Sequence, residues 1–104
     1  MEGQDSLISP AVLAGYAADA AREVEGVAGL SDGPLHRGKG VTVSGDEDTL
    51  AVDVMLELEW GRSAAAVAHE VQRRVAEYLE RMANMSPASV DVVFDRVSSP
   101  PSKR

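Results

Sequence analysis

Apolar and polar positions alternate most regularly along residues 50–60, where Leu50, Val52, Val54, Leu56, Leu58 and Trp60 interleave with Ala51, Asp53, Met55, Glu57 and Glu59. A period of two predicts a strand with one face against a core and the other toward water. Residues 40–44 alternate over a shorter span, and the turn at 45–48, with Asp46, Glu47 and Asp48 at its tip, makes the two runs an antiparallel hairpin. A third strand is predicted over about 89–97, with Val90, Val92 and Phe94 on one side and Asp91, Val93 and Asp95 on the other.

Two stretches carry the helical period instead. Ser9-Pro10 reads as an N-cap followed by proline at the first helical position, where its missing N–H has no partner to lose. Leu13, Tyr16, Ala17, Ala20, Val24 and Val27 then recur every three or four residues, predicting an alanine-rich helix that ends near Gly26. Between Gly26 and Gly45 the chain holds six of its nine glycines and Pro34, so this stretch is expected to be a loop leading into the first strand. The second helix follows Ser63, with a stripe of Val67, Ala68, Val71, Val75, Tyr78, Leu79 and Met82. Its wet face offers the i,i+4 pairs Glu70–Arg74, Arg73–Glu77 and Glu77–Arg81.

The element order is therefore α-β-β-α-β, an α+β fold. A three-stranded sheet with one apolar face would be covered by both helices, leaving its other face open. The second helix is the crossover to the last strand, and the length of the second strand favours a central place for it. The domain is expected over 8–97, with a flexible N-terminus over 1–7 and a disordered Ser-Pro-Pro-Ser tail over 98–104.

Composition narrows the chemistry. The chain lacks cysteine, which removes disulfides, thiolate metal sites and thiol nucleophiles. Its net charge of -7 arises in the first half, where residues 1–60 hold twelve acids against three bases. That charge opposes the basic surface on which nucleic-acid affinity rests, so no nucleic-acid partner is expected. Glu2 and Asp5 stand where a signal peptide would be basic, and no apolar run is long enough to span a bilayer, so a cytoplasmic location is expected.

Candidate chemistry is sparse. His36 lies in the glycine-rich loop beside Arg37 and Lys39, and His69 lies on the exposed side of the second helix; neither has the partners of a catalytic or metal-binding histidine. No catalytic residue, cofactor or metal is expected. Asp53, Glu57 and Glu59 share one strand face with Asp91 and Asp95 across from them, yet neighbours on a strand face stand about 6.6–6.8 Å apart, wider than one cation bridges unaided. A solvated face kept soluble by its charge is the first reading, and the apolar Met55 and Val93 among the acids are what give a protein-docking surface weight beside it. The candidate protein-binding residues are thus Asp53, Met55, Glu57, Glu59 and Val93. An alternative is a regulatory or nucleic-acid-associated domain, because Gly26-Val27-Ala28-Gly29 matches the GxxG of KH domains; its acidic neighbours Glu23, Glu25 and Asp32 oppose a phosphate clamp.

Several stretches taken together resemble a known family. They are residues 8–13, Val24-Glu25-Gly26-Val27-Ala28-Gly29-Leu30, Gly40-Val41-Thr42-Val43, Glu59-Trp60-Gly61, residues 67–75 and Val90-Asp91-Val92-Val93-Phe94. The family is the alkaline shock protein (Asp/Gls-type) envelope stress response proteins of Gram-positive bacteria. The resemblance implies a non-catalytic cytoplasmic protein recruited to the inner face of the membrane by a membrane-anchored relative, without direct insertion, and able to form homo-oligomers. It supplies no catalytic residues.

Overall fold

The computed structural model describes residues 9–31, 40–46 and 49–99. His36, Arg37 and Lys39, the turn residues Glu47 and Asp48, the N-terminal residues 1–8 and most of the expected tail lie outside them. The elements run α1 (Pro10–Arg22), β1 (Val27–Leu30), β2 (Val41–Ser44), β3 (Ala51–Leu58), α2 (Ala64–Ala83) and β4 (Ser89–Val97).

Both helix starts follow from the sequence. Ser9 Oγ accepts from the Val12 amide at 3.2 Å with Pro10 at the first position, and Ser63 Oγ accepts from the Ala66 amide at 3.2 Å. Each hydroxyl occupies one of the donors that a helix start leaves free. α1 ends earlier than its apolar period predicts, at Arg22, and α2 is stopped by Asn84 in the left-handed conformation.

β3 is the centre of a mixed sheet. β4 pairs with it in parallel along residues 51–58, which leaves the opposite edge of β3 to two strands in succession. β2 takes residues 51–54 as the expected hairpin partner, and β1 takes residues 56–58, both antiparallel. β1 corrects the expectation that 27–30 belong to a helix end and loop, and makes four strands where three are predicted. The physical cause is the mismatch between β2, with four residues, and β3, with eight. The far half of β3 would otherwise keep a bare edge, and backbone groups beside a core demand partners. Gly26, at φ 101°, turns the chain onto that edge, where a Cβ would sit 2.6 Å from Val67 Cγ2.

Val52, Val54 and Leu56 of β3 are withdrawn from solvent beneath Val71, Val75 and Leu79 of α2 and Leu13, Ala17 and Ala21 of α1. The small side chains of α1 allow it to lie close to its neighbours, and Tyr16 meets Tyr78 edge to face at 6.0 Å between ring centres. Both helices thus cover one face of the sheet, as the pattern predicts.

Two apolar residues assigned to that core lie elsewhere. Trp60 continues the alternation in sequence yet is 58% exposed, because β3 ends at Leu58 and the chain turns, the Arg62 amide donating to the Glu59 carbonyl. Met82, last in the α2 stripe, is 44% exposed, and Met85 beyond the helix cap packs on the core instead.

Candidate interaction surface

The uncovered face of the sheet is ordered in rows by strand register. Ser44, Ala51 and Ser89 form a row of small side chains. Next come Thr42, Asp53 and Asp91, with the two carboxylates side by side on parallel strands. Met55 and Val93 form an apolar row, Met55 half-buried and Val93 51% exposed. Beyond them Gly29, Glu57 and Arg96 are aligned.

Met55 is also where the outer edge of the sheet is interrupted. Its carbonyl accepts from the Ser31 amide at 2.9 Å and its amide donates to the Gly40 carbonyl at 2.7 Å, so β1 ends and β2 begins against the same residue. Gly40, at φ 73°, brings the two stems together so closely that a Cβ there would collide with the Ser31 carbonyl oxygen. Ser31, only 5% exposed, donates its hydroxyl to Asp95 Oδ2 at 2.7 Å, tying the end of β1 to β4.

Four of the five residues singled out from the sequence lie on this face: Asp53 and Val93 exposed, Met55 and Glu57 half-buried. Glu59 follows the end of β3, where its carboxylate accepts from Arg62 Nε at 3.2 Å, and Arg62 also approaches Glu25 at 3.5 Å. Simple alternation misses Ser31 and Arg96. A bulge opposite Leu56 and Glu57 inserts Asp95 and moves Arg96 into register with Glu57, reversing the face that its parity assigns. Two charged residues in succession, Asp95-Arg96, are the available signal.

The wet side of α2 differs in kind. Arg73 reaches Glu70 at 2.6 Å and Glu77 at 2.8 Å, while Arg74 reaches Glu70 at 3.3 Å and Glu23 at 4.0 Å. The hydrogen bond from Arg73 holds the Glu70 carboxyl below the ordinary glutamate range, and the same contact raises the Arg73 guanidinium. These two cations are largely spent on the chain's own acids. Past this face, Glu77, Glu80, Arg81, Asn84 and Ser86 line an open hollow in which Ser86 Oγ donates to Glu80 at 2.8 Å.

No group of three or more metal-ligating side chains occurs among the described residues. The Gly26–Gly29 segment is taken up by the turn and β1, with the Gly26 carbonyl accepting from the Glu59 amide at 2.8 Å, so it is no free loop of the kind that clamps phosphates.

Two helices on one side of a mixed sheet, with the other side bare, define a small two-layer α+β domain. The chain belongs to the alkaline shock protein 23 family, of cell envelope-related function, whose model matches residues 2–99. The uncharacterized protein YqhY of Bacillus subtilis (strain 168) is 30% identical over 95 residues, covering 82% of this chain and 70% of that protein. Among solved structures, the copper form of the MamM CTD has a TM-score of 0.64 at 13% identity, covering 90% of this chain and 91% of the other. A double variant of the same domain has a TM-score of 0.62 at 14% identity, covering 88% and 97%. At such identities the likeness concerns the fold.

Proposed function

We propose that this protein is a non-catalytic envelope stress response protein that works through protein–protein contact, self-associates, and is held at the cytoplasmic face of the membrane by a membrane-anchored partner. The observation that carries the reading is the Met55–Val93 row on the open sheet face, bordered on one side by Asp53 and Asp91 and on the other by Glu57 with Arg96 beside it. An apolar strip with three carboxylates and one guanidinium around it fits a basic segment with one or two apolar side chains, and the net negative charge steers such a segment in a salt-dependent way. Membership of a cell envelope-related family supports the setting. No helix among the described residues is long and apolar enough to cross a membrane, and a domain of charge -7 is repelled by anionic headgroups. Recruitment by a protein meets both conditions.

Fractionation of the untagged full chain between cytosol and membrane tests this. D53K combined with E57K should release the protein into the cytosol while its melting curve stays cooperative. R73E combined with R74E should leave it at the membrane. Release by the helix pair and retention by the sheet pair would place docking on α2 and refute the reading.

A further inference from the structure

The sheet has two edges of unlike construction. One is divided between β1 and β2, four residues each, and is interrupted where the chain departs at Ser31 and returns at Gly40. Short strands and a break of this kind guard an edge against pairing. The other edge is β4, nine residues long, and among the described residues it pairs with β3 alone. It contains no proline or lysine, and its one irregularity is the bulge at Asp95.

The amide and carbonyl of Met55 both face β1 and β2, so the odd-numbered residues of β3 turn their backbone groups to that side and the even-numbered ones turn theirs to β4. With Asp53 in register with Asp91, the partners of those even residues are the odd-numbered residues of β4. The backbone groups of Val90, Val92 and Phe94 then point away from the sheet. Gln72 Nε2, reaching from α2, donates to the Val90 carbonyl at 2.9 Å, as an outward carbonyl allows. Among the described residues nothing takes up the outward groups of Val92 and Phe94. The side chains of Val90, Val92 and Phe94 remain half-buried on the covered face beside this edge.

The geometry points to a second copy of this chain as the occupant, through antiparallel β4–β4 pairing about a two-fold axis at Val92. This deepens the self-association part of the proposed function and does not depend on the docking face. The register follows from charge and from the bulge. Centring on Asp91 would set that carboxylate against itself, and centring on Val93 would set Asp91 against Asp95 on both sides of the axis, each a destabilising match. Centring on Phe94 would carry the pairing through the bulge, and centring on Val90 would put the axis at the carbonyl that Gln72 already occupies. Centring on Val92 sets Asp91 against Val93, Ser89 against Asp95 and Val90 against Phe94, so no like charges meet. The outward groups of the two Val92 residues exchange both hydrogen bonds, and the side chains of Val90, Val92 and Phe94 extend the core across the seam. The product is one continuous sheet with the helices of both copies on one side and two Met55–Val93 rows on the other.

Because the chain has no cysteine, introduced thiols read the register. Residues 91 and 93 of opposite copies form a non-hydrogen-bonded pair on the open face with Cα atoms about 4.5 Å apart, within disulfide reach. Two thiols at 91, or two at 93, lie diagonally, about 7–8 Å apart, and do not close readily. Purified protein should sediment at about twice 11.0 kDa in the micromolar range. An equimolar mixture of D91C and V93C should cross-link under diamide, which takes up the two thiol hydrogens, while neither variant alone does. V92P, which removes an outward amide and leaves the ladder to β3 intact, should weaken association by roughly tenfold or more.

A monomer throughout the micromolar range overturns the inference, as does cross-linking of D91C alone or V93C alone in preference to the mixture, or association undisturbed by V92P. Should V92P fail to fold, the thiol pairs decide by themselves. Any of the adverse results leaves the membrane-docking reading standing, since that reading is judged by the charge reversals in cells.

Discussion

Val54 and Asp53 are adjacent in β3, yet one is fully withdrawn from water and the other meets it. The covered face is apolar, its fully buried side chains all valine, leucine or alanine, and is specified by volume. The open face is a succession of unlike rows, small, acidic, apolar and mixed-charge, each set by register rather than by packing. The difference separates two tasks. Residues facing the helices hold the domain together by keeping out water, whereas those facing away contribute little to stability and are free to carry chemistry for a partner.

Breaking the covered face should have the largest effect. V54D buries a carboxylate with no cation beside it, at a cost of about 4 kcal/mol or more, a large share of the roughly 5–15 kcal/mol that stabilises a small domain. Loss of the cooperative thermal transition is the expected result, and a melt like the parent's would mean that the register of β3 is misassigned.

Gly40 lies where the interrupted edge meets Met55, at a point of the outer edge with no room for a side chain. G40A forces a positive φ on a residue with a side chain and drives its Cβ into the Ser31 carbonyl, so urea titration should show a loss of about 1–3 kcal/mol. An unchanged midpoint would show that the two stems separate freely.

Substitutions among the exposed carboxylates should do the opposite of what a core residue does. D53N removes one of two like charges set side by side with Asp91, and should raise stability by about 0.2–1 kcal/mol with the denaturant slope unaltered. Destabilisation would mean that Asp53 has a favourable partner and that this row is not strained by repulsion.

The smallest effect is expected from the paired charges of α2. Since the Arg73 hydrogen bond lowers the folded-state pKa of Glu70, the stability this contributes is present above the unfolded-state pKa. It is lost as pH falls through the lowered folded value. E70Q should therefore melt slightly below the parent near neutral pH, with the two curves converging in acid. A gap that persists below that range would trace to packing rather than to charge.

Much of this arrangement is legible in the chain because periodicity reports burial directly. Ser9 and Ser63 as caps, the hairpin of β2 and β3, the crossover by α2 and the placing of Asp53, Met55, Glu57 and Val93 on one face all follow from spacing. Features without a local signature escape it. β1 is Val-Ala-Gly-Leu, too short and too plain to distinguish from a helix end, and it becomes a strand only because β3 outruns β2. Trp60 keeps the parity of a buried residue but stands beyond the end of β3, where parity no longer carries meaning. Arg96 changes face because the bulge within Phe94-Asp95-Arg96 breaks the alternation that holds from Ser89 to Phe94.

Which side chains leave water is written in the chain's own pattern, since an apolar residue repeated at period two, or at three and four, has only one way out of solvent in each kind of element. Which strands share an edge is settled only in the folded molecule: β1 and β2 follow one another along β3, β4 stands exposed on the other side, and Ser31 thereby reaches Asp95. Those outcomes depend on contacts between residues far apart in the chain, where hydrogen-bonding demand along β3 and the length of each partner strand, rather than any local preference, select the arrangement.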